Sequence, residues 1–153
     1  MFYEKLGNGK VKCCLCRHYC IIDEGKKGIC RVRQNDRGTL YSLVYRKLIS
    51  ENIDPIEKKP FFHFYSGSTA FSVATMGCNF RCMNCQNYEI SQLPKDQDQI
   101  AGEDIAPETI VDDTIHHHCK SIAYTYTEPT IFFEYAYEIA KIASQKSIKN
   151  IFV

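Results

Sequence analysis

With 153 residues, a formal net charge of +1, and 44% apolar against 24% charged residues, the chain has the composition of one soluble domain, or two small ones, with enough length for a real core. No apolar run approaches the ~20 residues that a membrane span needs, and residues 1–11 carry charge and glycine where a secretory signal carries an apolar stretch, so a cytoplasmic protein is expected. Nine cysteines, an odd number and too sparse for a disulfide scaffold, argue against a disulfide framework in that compartment and point to metal or iron–sulfur chemistry.

Residues 1–38 read as a Cys-rich metal-binding head. Residues 1–37 hold nine Lys/Arg against four Asp/Glu and the remainder ten against fourteen, so a basic head precedes an acidic body. The head is rich in turns (Gly7-Asn8-Gly9, Glu24-Gly25, Asn35-Asp36-Arg37-Gly38) and poor in large aliphatics, and it needs a metal staple to hold together. Cys13-x2-Cys16-x3-Cys20-x9-Cys30 offers four thiolates at roughly zinc-ribbon spacing, with Gly25 and Gly28 permitting the tight return. Cys14 or His18 could replace one ligand. A structural zinc is the first reading and an auxiliary iron–sulfur cluster the second, because the spacing does not choose between them. Four thiolates on a divalent ion carry about −2, which absorbs part of the head's positive charge and leaves only a weak case for nucleic-acid binding through Lys26, Lys27, Arg31 and Arg33.

Residues 39–67 read as a β connector: a strand over 39–44, a proline-punctuated link over 53–60, and an extended piece over 61–65 before the turn at Ser66-Gly67. From residue 68 strands alternate with helices. A β-rich run over 68–76 enters the second cysteine group, and a polar stretch follows over 91–103. A helix opened by Pro107 runs to about residue 118, and a strand covers 121–127. Pro129 opens a helix on which Ile131, Phe132, Tyr135, Ile139 and Ile142 recur at helical spacing, and another strand begins at 149. Strand, helix, strand over 121–153 makes a βαβ unit and so a parallel sheet with a right-handed crossover. The sequence stops inside that apolar strand, as expected of a fragment or a truncated reading frame. His116, His117 and His118 point about 100° apart on a helix and cannot chelate one ion together.

The second cysteine group is Gly77-Cys78-Asn79-Phe80-Arg81-Cys82-Met83-Asn84-Cys85-Gln86-Asn87. Three thiolates in a loop directly after a strand can wrap one small object at the carboxyl edge of a sheet, and short thiolate loops bind iron–sulfur clusters. Three ligands on a four-iron cubane leave one iron open to substrate. The competing reading is a zinc site, or a ferredoxin-like cluster completed by Cys119, although Cys119, between a helix and a strand, reads better as a buried small thiol.

Cys78-x3-Cys82-x2-Cys85 after a first strand, followed by βα units, resembles the radical S-adenosylmethionine (SAM) superfamily. Four features narrow the resemblance to the AmmeMemoRadiSam-system radical SAM proteins, often labelled as related to pyruvate formate-lyase activating enzymes. They are the Cys-rich head, Ile53-Asp54-Pro55-Ile56-Glu57-Lys58-Lys59-Pro60, Cys85-Gln86-Asn87, and the run from Ser121 through Tyr124, Tyr126 and Glu128 to Thr130.

The resemblance implies an α/β fold: residues 68–153 as the first half of a (β/α)6 partial barrel, broken off in its third strand, behind the small Cys-rich β head. It implies an enzyme in which Cys78, Cys82 and Cys85 hold a [4Fe–4S] cluster that binds SAM. Reductive cleavage of SAM then gives a 5′-deoxyadenosyl radical for hydrogen abstraction from an unidentified substrate, possible protein substrates of a glycyl-radical activase included. Glu128 matches the place where the family contacts the SAM amino group, although it also suits the cap of the helix opened by Pro129. An electron donor of the flavodoxin or ferredoxin kind is implied, with no membrane or nucleic-acid partner. The family commonly has an aromatic residue before its third cysteine; here that residue is Asn84, with Phe80 or Tyr88 as substitutes. The alternatives are a non-catalytic iron–sulfur or zinc module and an RNA-binding or RNA-modifying protein.

Overall fold

In a computed structural model that describes residues 2–153, the chain begins with β1 (Tyr3–Lys5), β2 (Val11–Cys13) and β3 (Ile21–Ile22), an antiparallel sheet in the order β1-β2-β3. β4 (Arg33–Asp36) and β5 (Thr39–Ser42) form a hairpin across Arg37 and Gly38, both at positive φ, as a two-residue turn matched to strand twist requires. The head hairpin therefore continues past residue 38. Its core is small: Val11, Cys13, Ile22 and Leu40. Buried Asn35 holds it together, donating from Nδ2 to the carbonyls of Gly9 (2.8 Å) and Ile22 (2.9 Å) and accepting from Gly38 N–H at 2.9 Å.

The body follows as β6 (Lys47–Pro55), β7 (Thr69–Thr75), α1 (Tyr88–Asp96), β8 (Glu103–Asp104), α2 (Pro107–His116), β9 (Ser121–Tyr124), α3 (Phe133–Gln145) and β10 (Lys149–Phe152). Its five-stranded sheet has the order β10-β9-β7-β6-β8, with β7, β9 and β10 parallel and in chain order, and β6 antiparallel to both β7 and β8. Strand alternation sorts the two faces. Phe71, Val73, Ile122 and Tyr124 pack on Ile110 and Val111 of α2 and on Tyr135, Ala136, Ile139 and Ala143 of α3. The opposite face carries small residues, Ala70 and Ala123, with Ile151, covered by Ile56, Phe61 and Phe64.

Several expectations are corrected. The link expected over 53–60 begins inside β6, the longest strand of the sheet, and continues as a 3-10 turn, Ile56–Lys58. Residues 62–65 form bends rather than a strand, and Phe61 and Phe64 cover the sheet. The polar stretch expected over 91–103 overlaps α1. β9 stops at Tyr124, short of residue 127, and Tyr126 adopts φ +63°. The alternation of Tyr124 and Tyr126 in the sequence would put both on one face of a strand, but Tyr124 packs under the helices, whereas the Tyr126 hydroxyl reaches Asp54 on the other side of the sheet.

Candidate functional site

β7 delivers the chain to the carboxyl edge of the sheet, and the three-cysteine loop begins two residues beyond its end. Cys78 is buried, Cys85 half-buried and Cys82 exposed, and all three are free thiols. The Cys78 sulfur accepts the Phe80 N–H at 3.4 Å, and the Cys85 sulfur lies 3.3 Å from the Ser91 hydroxyl on α1. Lys95 of α1 donates to the Phe80 carbonyl. Burial lowers the Lys95 pKa, an effect opposed by the nearby Cys78 and Cys30 sulfurs. Gly77 N–H donates to the Ile90 carbonyl at 2.8 Å, an acceptor left free because Pro94, four residues on, has no N–H to offer it.

The loop after β9 reaches the same edge. Thr127 Oγ1 donates to the Thr75 carbonyl at 3.1 Å, and Asn87 Nδ2 donates to the Tyr126 carbonyl at 2.9 Å. Glu128, half-buried, caps the 3-10 turn Pro129–Phe132: its Oε1 accepts from Thr130 N–H at 3.2 Å and from Thr130 Oγ1 at 2.6 Å, leaving Oε2 outside the cap. Three unbridged thiols flanked by N–H, O–H and ammonium groups form a donor set that suits thiolate ligands of a cluster, so the residues present fit that group. Phe80 and Tyr88 are both about half exposed, and the Tyr88 hydroxyl is held by Asp96 at 2.5 Å.

Sequence reasoning left Asp54, Lys59 and Tyr126 without roles; the structure joins them. Asp54, 4% exposed, accepts from Lys58 and Lys59 (2.7 Å each), Ser72 Oγ (2.8 Å) and Tyr126 OH (2.5 Å). Lys59 Nζ also lies 4.6 Å from the centre of the Tyr126 ring. Burial works against ionisation of Asp54, but the bonds from Lys58, Lys59, Tyr126 and Ser72 outweigh it and hold the carboxyl well below the usual carboxylate range. Tyr126 is pushed up to about 12, first by burial and then by Asp54. The network pins the backbone just before Glu128. Its signal in the sequence is one acidic residue followed by lysines four and five positions on, between two prolines.

In the head, Cys13, Cys16, Cys20 and Cys30 all line one small cavity of ≈ 20 Å³, together with Arg33 and Ile131. Burial raises the thiol pKa values of Cys13 and Cys30, and neighbouring backbone N–H groups and Arg33 oppose the rise. Cys14 turns away to the Lys12 carbonyl at 3.6 Å. His18 lines the cavity, and its Nε2 lies 2.9 Å from the Asn79 carbonyl of the other cysteine loop. Among the described residues, no three His, Cys, Asp or Glu side chains stand at the spacing of ligands around one ion.

Cys119 is buried and accepts from Thr69 Oγ1 at 3.4 Å, at the start of β7. The three-cysteine loop lies at the other end of that strand, about 20 Å away at ~3.3 Å per residue, so Cys119 cannot complete a site there. His117 stacks on Phe71 at the end of α2. The basic head faces acidic groups of the body: Lys27 and Arg31 pair with Asp98 at 2.7 and 3.2 Å, and buried Arg33 pairs with Glu134 of α3. Among the described residues, no helix is long and apolar enough to cross a membrane.

No family model matches the chain. An uncharacterized protein of Methanocaldococcus jannaschii is 48% identical over 153 residues, all of this chain and 45% of the relative. A second uncharacterized protein of that organism is 30% identical over 82 residues, 53% of this chain and 19% of the relative. The chain thus spans less than half the length of these relatives. No solved structure matches it.

Proposed function

We propose that the chain is the N-terminal part of a radical SAM enzyme core, in which Cys78, Cys82 and Cys85 hold a [4Fe–4S] cluster and Glu128 receives the SAM amino group. One observation carries this reading. The three-thiol loop leaves the carboxyl end of β7, the first of three parallel strands in chain order, and the loop bearing Glu128 is tied to the same edge. Open α/β sheets bind ligands at such edges. When bound, the cluster and SAM supply one-electron reductive cleavage and a 5′-deoxyadenosyl radical for hydrogen abstraction.

The chain's own part is positioning. The Phe80 N–H donates to the Cys78 sulfur, the Ser91 hydroxyl stands 3.3 Å from the Cys85 sulfur, and Lys95 holds the Phe80 carbonyl between them. Thr130 fixes Glu128 through Oε1, so Oε2 is the oxygen offered to an ammonium. The Asp54–Lys59–Tyr126 network holds the preceding backbone in its left-handed turn. A reducing cytoplasmic setting and an electron donor of the flavodoxin or ferredoxin kind belong to the same reading.

The test is anaerobic reconstitution with iron and sulfide, reduction, and addition of SAM, on this chain and on the longer relative from Methanocaldococcus jannaschii. The expected result is a SAM-dependent change in the cluster EPR signal with formation of 5′-deoxyadenosine, both lost in Cys82→Ser. An unchanged signal with no 5′-deoxyadenosine from either protein would defeat the proposal.

A further inference from the structure

We infer that Cys13, Cys16, Cys20 and Cys30 are the ligands of a single thiophilic divalent cation of the zinc class, and that this ion stiffens the Cys78–Cys85 loop through a wall the two sites share. All four thiols line one narrow cavity. Its lining of four thiols among apolar side chains is a donor set that suits one soft divalent ion. Four thiolates close a tetrahedral shell, which is the pattern of a structural rather than a catalytic site. The thiols stand around the wall instead of at ligand spacing, so loading draws them inward by side-chain rotation.

Arg33 supplies an independent pointer to an anionic occupant. It is 4% exposed and lines the same cavity, and among the described residues its Nε has no hydrogen-bond partner. A divalent ion with four thiolates carries about −2, and a buried group of that charge needs a neighbouring cation and a donor. Arg33 provides the donor through Nε, while its other end is held by Glu134.

The shared wall is specific. Gly77 precedes Cys78 and packs so closely on the head that an added Cβ would meet Val32 Cγ1 at 2.5 Å and the Cys30 carbonyl at 3.2 Å. His18, between Cys16 and Cys20, holds the Asn79 carbonyl. Fixing Cys30 and the Cys16 to Cys20 turn therefore restrains both backbone residues that flank Cys78. The inference is independent of the chemistry proposed for Cys78, Cys82 and Cys85.

Titrating Co2+ into the full chain carrying Cys78→Ser, Cys82→Ser and Cys85→Ser tests the site. One ion per chain is expected, with thiolate charge-transfer and tetrahedral d–d absorption, displaced by Zn2+ and lost in Cys13→Ser/Cys20→Ser. Hydrogen exchange of residues 78–87 in the wild-type chain, with Zn2+ or with a chelator, tests the coupling without depending on how that variant folds. About fivefold or greater slowing with Zn2+ is expected, and His18→Ala should keep the Co2+ spectrum while losing most of the slowing. Absence of tetrahedral Co2+ from the triple variant, loss of the Co2+ spectrum in His18→Ala, or equal exchange with and without Zn2+ would overturn the inference.

Discussion

Asp54 is a buried carboxylate on β6. It accepts four hydrogen bonds, two of them from lysines, and one of those lysines, Lys59, is as buried as Asp54 itself. Removing one partner of a buried pair leaves an uncompensated charge, a loss of about 3–5 kcal/mol. Asp54→Asn should lower stability by that order at pH 7, as read from urea denaturation. Because the folded carboxyl titrates well below its unfolded value near 3.9, the stabilisation is complete above about pH 4 and declines as pH falls toward the folded pKa. The gap between wild type and variant should therefore narrow by about 1.4 kcal/mol per pH unit once the pH is below ~4. Equal gaps at pH 7 and pH 3 would show that Asp54 acts through packing alone.

Among the elements, α1 turns a residue that normally ends helices into an anchor. Pro94 removes the N–H that would occupy the Ile90 carbonyl, and Gly77 N–H takes its place. Pro94→Ala restores the competing donor, so the Gly77 amide should exchange faster while α1 itself exchanges more slowly; an unchanged Gly77 amide would refute the competition. The same chemistry hid this helix in the sequence, where Ser91, Gln92, Pro94 and the charges beyond them read as a polar stretch. In the structure Ser91, Gln92 and Pro94 are buried, and Ser91 and Gln92 contact the cysteine loop instead of facing solvent. β6 was obscured for a related reason: Ser50, Glu51, Asn52 and Asp54 break the apolar alternation that marks a half-buried strand. By contrast, 121–153 was legible because Ile122, Tyr124, Ile131, Tyr135 and Ile139 face one apolar core. The thiol spacing exposed both cysteine groups directly. Their contact through Gly77, Val32 and His18 depends on residues 45 or more positions apart and left no local pattern.

Across the whole molecule, the basic head and acidic body that nearly cancel in net charge meet face to face. The pairs differ in burial and so in weight. Asp98 is exposed and its pairs are screened by solvent, whereas Glu134 neutralises a guanidinium that is almost wholly enclosed. Glu134→Gln should therefore lower the denaturation midpoint clearly more than Asp98→Asn, and only the Asp98 effect should fade in high salt. The reverse order would mean that the head is held by its surface charges.

Ile131 gives the head cavity a dimension in time. The last of its four cysteines leaves the ribosome about a hundred residues before the isoleucine that completes the wall, an interval of roughly 5–20 s at ordinary rates of synthesis. Throughout that interval the thiols lack the wall that encloses them in the folded chain, so oxidation competes with folding most strongly while the body is still being made.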